Sequence, residues 1–302
     1  MYLIYLLNIL ALLINTPQPS ILDINPPIVE EALPVETEEP DIVLVELDET
    51  NEILTSVQKN LILLNYYKVS ETGILDLETQ NALIDFKNNY TSLESNGLLT
   101  QKTLDSINTE LQSRYQTNPN SLLVLVNKTH YLTKADAPSD LIIPDVPFCI
   151  GEMAMREEAA HALEKMFNKA KEEEIILVAR SGYRSFQTQE MVFARNVNKN
   201  GIEKANTYSA KPGQSEHQSG LAMDITARSV NNKLTERFED TSEYTWLSQN
   251  AHLYGFILRY PKDRVIDTGY QYEPWHYRYV GLEPAKFIYN NNLILEDYID
   301  KK

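Results

Sequence analysis

Two short stretches of this chain gather residue types that can hold a divalent metal and move protons. The first reads Ser215-Glu216-His217-Gln218-Ser219-Gly220-Leu221-Ala222-Met223-Asp224. The second reads Glu273-Pro274-Trp275-His276-Tyr277. Imidazole and carboxylate are both good zinc ligands. A turn entering a strand can bring His217 and Asp224 together, with Gly220 letting the backbone turn tightly. Asp224 lies in the apolar sequence Leu-Ala-Met-Asp-Ile, where a carboxylate is costly to bury unless it is paired or metal-bound. His276 supplies a third ligand, and three protein ligands that leave one position to water make a catalytic rather than a structural site. Glu273, three residues earlier, suits a general base acting on the metal's water. A third cluster, Arg180-Ser181-Gly182-Tyr183-Arg184-Ser185, follows an apolar run. An arginine at a strand exit can stabilise an oxyanion or clamp a carboxylate. Each cluster alone also fits a plainer reading, a hydrogen-bonding histidine or a surface arginine. His130, His161 and His252 stand outside these clusters and read as structural or surface residues.

These residues need elements to position them. Arg156 to Glu174 predicts an amphipathic helix, with Ala160, Leu163, Met166, Phe167 and Ala170 along one stripe. Ile175 to Ala179 predicts a buried strand, Phe186 to Lys199 a helix, and Leu221 to Thr226 a strand. Phe256 to Leu258 predicts a further strand, and Thr241 to Tyr254 a helix closed by Gly255. Leu122 to Val126 is an apolar run of strand length. Helices and strands alternate without a βαβ rhythm, so residues 114–302 predict an α+β domain. Residues 51–113 differ: three helical patterns are separated by turns at Gly73 and Gly97, with helices opening near Thr79 and Thr100. They predict a small all-α domain.

The N-terminal part predicts no core. Residues 2–15 are almost continuously apolar, a length that suits a signal peptide or an N-terminal anchor, expected over 1–16. Residues 17–50 are acidic and rich in proline, and the first basic residue of the chain is Lys59. Such a stretch predicts an extended, disordered linker. These features lead to the expectation of an exported protein of the periplasm or cell wall, with membrane association through the apolar segment as one outcome. A net charge of -16 argues against a nucleic-acid partner, because phosphate binding is driven by Lys and Arg. The single cysteine, Cys149, excludes an intramolecular disulfide and reads as a small buried apolar residue.

Taken together, the clusters closely resemble the VanY-type D-alanyl-D-alanine carboxypeptidases, zinc peptidases of the hedgehog/D,D-peptidase fold. The family pattern SxHxxGxAxD is matched by Ser215, His217, Gly220, Ala222 and Asp224. The ExxWH-like element is matched by Glu273, Pro274, Trp275 and His276, and the Ser-Gly-Tyr-Arg-Ser block and Gln189 match as well. The resemblance implies one zinc ion per chain held by His217, Asp224 and His276, with Glu273 as catalytic base and Arg184 as oxyanion stabiliser. It implies substrate positioning by Ser215 and Gln189, with Trp275 packed against the site. The implied reaction is hydrolysis of the terminal D-Ala-D-Ala bond of peptidoglycan stem peptides. An L,D-carboxypeptidase, an endopeptidase on the same peptides and a non-catalytic wall-binding protein are the alternatives. Residues 51–113 resemble the peptidoglycan-binding-like three-helix domain through Val57-Gln58, Asn65-Tyr66-Tyr67, Gly73-Ile74, Thr79, Ala82, Phe86, Gly97 and Thr103-Leu104. Two positions depart from that pattern: Asn65 stands for the usual Gly and Lys87 for the usual Gln.

Overall fold

The structure is a computed structural model that describes residues 41–45 and 52–301. The N-terminal apolar run and the linker up to residue 40 lie outside the described residues. Part of the expected linker, residues 43–45, is a strand. Val43–Val45 (β1) pairs antiparallel with Leu99–Thr100 (β2). Val45 is buried while Val43 is exposed, the pairing with β2 shifting register between them.

Three helices build the first module: α1 (Glu52–Leu63), α2 (Leu77–Lys87) and α3 (Gln101–Ser113). Leu54, Val57 and Leu61 of α1 are buried against Leu83, Phe86 and Ile107. Gln58 is also buried and clamps the first glycine turn. Its Oε1 accepts from Thr72 N and Gly73 N at 2.9 and 2.8 Å, and its Nε2 donates to Ile74 O and Thr79 Oγ1. Asp76 and Thr100 cap α2 and α3 by accepting from Thr79 N and Thr103 N. Asn65 has φ 73°, which explains why glycine is usual there and why asparagine is accepted. Lys87 is buried and reaches across the second turn to Asn96 Oδ1 and Leu98 O.

The second region is α+β. A two-stranded pair, β3 (Leu141–Ile142) and β4 (Met155–Arg156), precedes α4 (Glu157–Glu172), which buries the predicted stripe. Strands β5 (Val178–Ser181), β6 (Ala222–Thr226), β7 (Phe256–Leu258) and β8 (His276–Tyr279) form an antiparallel sheet in the order β5-β6-β8-β7. Between β5 and β6 lie α5 (Phe186–Asn200) and α6 (Ile202–Tyr208). Then come α7 (Ser242–Asn250), α8 (Val265–Thr268), α9 (Leu282–Asn290) and α10 (Leu295–Asp300).

Two expectations shift. The strand predicted over Ile175 to Ala179 starts later, because Glu174 turns left-handed (φ 61°) and Ile175 N still bonds Ala170 O, finishing the helix. Ile176 is exposed as a result. Leu122 to Val126 is no strand. Val124, Leu125 and Val126 are buried, but the carbonyls of Leu122 and Val124 accept from Arg278 Nη2 instead of a neighbouring strand. The expected boundary at 113/114 does not divide the packing cleanly: Asp41–Lys302 is one compact unit, and Tyr131, with Tyr115 packed against it, joins the core of the helical module. Cys149 is partly rather than fully buried.

Candidate active site

Strand register sets the site. Asp224 on β6 lies directly opposite His276 on β8 and Ser181 on β5. Side chains opposite each other in a ladder share a face, so Asp224 and His276 meet. His217 arrives from the turn of Glu216–Ser219, which ends at Gly220 in the left-handed region with φ 69°. That glycine could not be replaced freely, since a Cβ would stand 2.9 Å from Arg156 Cγ. Donor atoms of His217, Asp224 and His276 all lie within 4.8 Å of one another, and all three residues are buried.

The tautomers follow from the acceptors around them. His217 Nδ1 sits 2.8 Å from Gly182 O, a pure acceptor, so Nδ1 carries the proton and the Nε2 lone pair faces Asp224 Oδ1 at 3.5 Å. His276 Nε2 sits 3.4 Å from the Glu216 carboxylate, so it carries the proton and Nδ1 faces Asp224 Oδ1 at 3.2 Å. Asp224 Oδ1 accepts no well-formed hydrogen bond among the described residues. With both imidazoles neutral, lone pairs thus converge on a small volume. A buried carboxylate oxygen in that state is costly without a cation. The donor set fits a divalent metal of the zinc type.

Charge reinforces this. Burial pushes the Asp224 carboxyl up, but the two imidazoles beside it hold it well below the usual range. Burial lowers His217. It opposes charge on His276 too, yet Asp224 and Glu216 outweigh it and the group is pushed up to about 9. A bound cation takes the place of that proton.

Glu273 stands at the rim, its Oε2 3.5 Å from His276 Nδ1. Burial, aided by the Asp224 and Glu216 charges, raises its carboxyl to about 7, against the pull of His276 and Arg184. A carboxylate near 7 can both take and return a proton at neutral pH. Arg184 is held by two acceptors, Gln189 Oε1 at 2.8 Å and Ser181 Oγ at 3.0 Å. Gln189 in turn donates to Ala210 O at 2.6 Å. Gln189 therefore orients the guanidinium while lining the cavity itself. Arg184, Gln189, Ser215, Glu273 and Trp275 line one cavity of about 240 Å³ with the three candidate ligands. Every predicted site residue is brought to this cavity. His130, His161 and His252 are not among its lining residues.

Sequence reasoning missed the support beneath the ligands. Glu216 is fully buried; its Oε1 accepts from Arg259 Nε and Arg278 Nη1, both at 2.7 Å. Arg259 continues to Glu296 through two bonds of 2.9 and 2.7 Å. The signal was present as two arginines embedded in apolar strand sequence, the same anomaly that drew attention to Asp224. Their partner could not be read, because it lies 43 and 62 residues away in sequence. Tyr260 and Tyr270 of the cavity wall were missed as well.

Comparison with known proteins places the chain in a family. Residues 152–282 match the family described as VanY, D-alanyl-D-alanine carboxypeptidase. The chain is 46% identical to the putative carboxypeptidase YodJ of Bacillus subtilis (strain 168), over 78% of this chain and 87% of the relative. Among solved structures, the LD-carboxypeptidase LdcB is 48% identical, with a TM-score of 0.60, covering 62% of this chain and 89% of that one. A mutant of the vancomycin-resistance D,D-pentapeptidase VanY, solved with Zn(II), is 32% identical, with a TM-score of 0.51, over 59% of this chain and 98% of that one.

Proposed function

Because this chain belongs to the VanY family of D-alanyl-D-alanine carboxypeptidases, and so is a peptidase, we propose that it removes the C-terminal D-alanine from peptidoglycan stem peptides in a zinc-dependent reaction. The observation that carries this is the meeting of His217, Asp224 and His276 around an unsatisfied carboxylate oxygen, with Glu273 and Arg184 in the same cavity. His217, Asp224 and His276 would hold the ion. When bound, zinc polarises a carbonyl and acidifies water. Glu273 takes the proton of the attacking water and returns it to the leaving amine of D-alanine. Arg184, fixed by Gln189 and Ser181, offers its guanidinium to the carbonyl oxygen as charge develops there. Ser215 lines the same cavity and meets the peptide's terminal residue.

Two bonds compete as the preferred target. The D,D bond of a pentapeptide is the expectation from motif and family. The L,D bond of a tetrapeptide is favoured by the 48% identity to LdcB, against 32% to the D,D-pentapeptidase. We rank the L,D bond first. Action outside the cytoplasm is part of the proposal, supported by the apolar segment of residues 2–15. Attachment to the wall through the helical module is supported by its sequence pattern.

The test is mass spectrometry of tetrapeptide, pentapeptide and crosslinked-dimer muropeptides incubated with zinc-loaded full-length protein. Loss of one alanine from the tetrapeptide, abolished by chelation, is the expected result. Loss from the pentapeptide alone restores the D,D reading. No cleavage of any of the three overturns the proposed substrate.

A further inference from the structure

The wall of the substrate cavity is built partly by the segment Ser209-Ala210-Lys211-Pro212-Gly213-Gln214-Ser215, which leads into His217. This segment has no regular structure of its own, so something else must hold it. Its Gln214 carbonyl accepts from Tyr270 Oη at 2.9 Å, and Gly213 O accepts from Leu132 N at 2.8 Å. Ala210 O and Ser209 Oγ accept from Gln189 Nε2 and Asn196 Nδ2 of α5 at 2.6 and 3.1 Å, and further ties lead to the helical module. Lys211, only 3% exposed, donates through Nζ to the carbonyl of Ile62. Tyr131 Oη donates to Leu63 O at 3.0 Å, and Gln214 Nε2 approaches the same oxygen at 3.4 Å.

Ile62 and Leu63 are the last residues of α1. Carbonyls at a helix end lack intrahelical partners and carry the negative pole of the helix. A cation in the last turn commonly answers that charge, yet α1 has no basic residue there. Lys211, 149 residues further along the chain, fills that role. Ile62 O also accepts from Asn65 N at 3.1 Å, so Lys211 adds charge there, while Leu63 O takes its donors from Tyr131 and Gln214.

We propose that the helical module is a positioning part of the catalytic site: the carbonyl end of α1 anchors the Ser209–Ser215 wall through Lys211, Tyr131 and Gln214. His217 is separately fixed by Gly182 O and should stay in place without this anchor. Loosening the wall displaces the substrate side, Ser215 and the Ala210 carbonyl that holds Gln189, more than the metal side. The turnover arm of the test rests on the carboxypeptidase reading; the exchange arm does not.

Lys211→Met and Tyr131→Phe remove the two donors outside the cavity in the full-length protein. Hydrogen exchange at residues 209–215 should quicken about tenfold, the scale of one lost charged or neutral hydrogen bond. KM should rise by a similar factor, with kcat and zinc content nearly unchanged, at a temperature where both variants melt cooperatively. A merely structural role would lower the melting temperature and leave KM alone. Exchange and KM within twofold of wild type in a folded variant overturn the proposal. If Lys211→Met does not fold, Tyr131→Phe decides by the same criteria. If wild type cleaves no stem peptide, the function reading falls and the exchange result alone decides the anchor.

Discussion

Replacing Glu216 by Gln tests the support under the metal ligands. The side chain is fully buried and answers two buried arginines. Arg259 retains Glu296 after the change, but Arg278 keeps only the carbonyls of Leu122, Val124 and Tyr279. Removing one partner of a buried ion pair costs about 3–5 kcal/mol. If the amide oxygen stays with the arginines, its NH2 meets the Nε2–H of His276. Two donors then face each other, and His276 relaxes by moving its proton to Nδ1, the atom that faces Asp224. That removes a metal lone pair, and loss of such a support typically lowers metal affinity ~10–100-fold. Urea unfolding of metal-free protein at pH 7 and a zinc competition titration against a chromophoric chelator read the two effects. The sign of the pH dependence is fixed as well. The folded-state carboxyl lies below its ordinary 4.5, so its contribution is complete above that pH and fades as pH falls through the folded value. The gap between wild type and variant should therefore narrow from pH 4.5 downward. A stability loss under about 1 kcal/mol together with unchanged zinc affinity would refute the reasoning, since a buried charge cannot be both deleted and unmissed.

Glu273→Gln should lower kcat ~10²–10⁴-fold with little change in KM, the range for a lost general base. In wild type, kcat/KM should fall on the acid side with a midpoint at or below 7, because the base must be ionised and a bound cation lowers its value of about 7 further; steady-state kinetics from pH 4 to 9 checks this. Arg184→Ala should reduce kcat ~10²–10³-fold, the cost of one oxyanion donor, while zinc content by metal analysis stays near one per chain. Lys211 is lowered by burial to about 8 from an ordinary 10.5. The unfolded chain binds the extra proton between those values, so the stability difference, wild type minus Lys211→Met, should rise with pH from 8 to 10.5 in denaturant titrations.

The candidate ligands and the turn and strand that carry two of them were legible in the sequence. A histidine, a glycine and an aspartate at fixed spacing read as a turn feeding a buried strand, and a charge in an apolar run marks itself because its burial needs a partner. Helix α4 was legible because its apolar stripe repeats at 3.6 residues, a property of local geometry alone. Leu122 to Val126 was misread because an apolar run states that a segment is buried without stating what its backbone bonds to. Its carbonyls went to Arg278, 156 and 154 residues away. Tertiary structure alone decided the register that sets Asp224 opposite His276, and the tautomers imposed by Gly182 and Glu216. It also decided the docking of Lys211 on the end of α1. Each of these joins groups far apart in the chain, and no local pattern encodes a partner that only packing brings near.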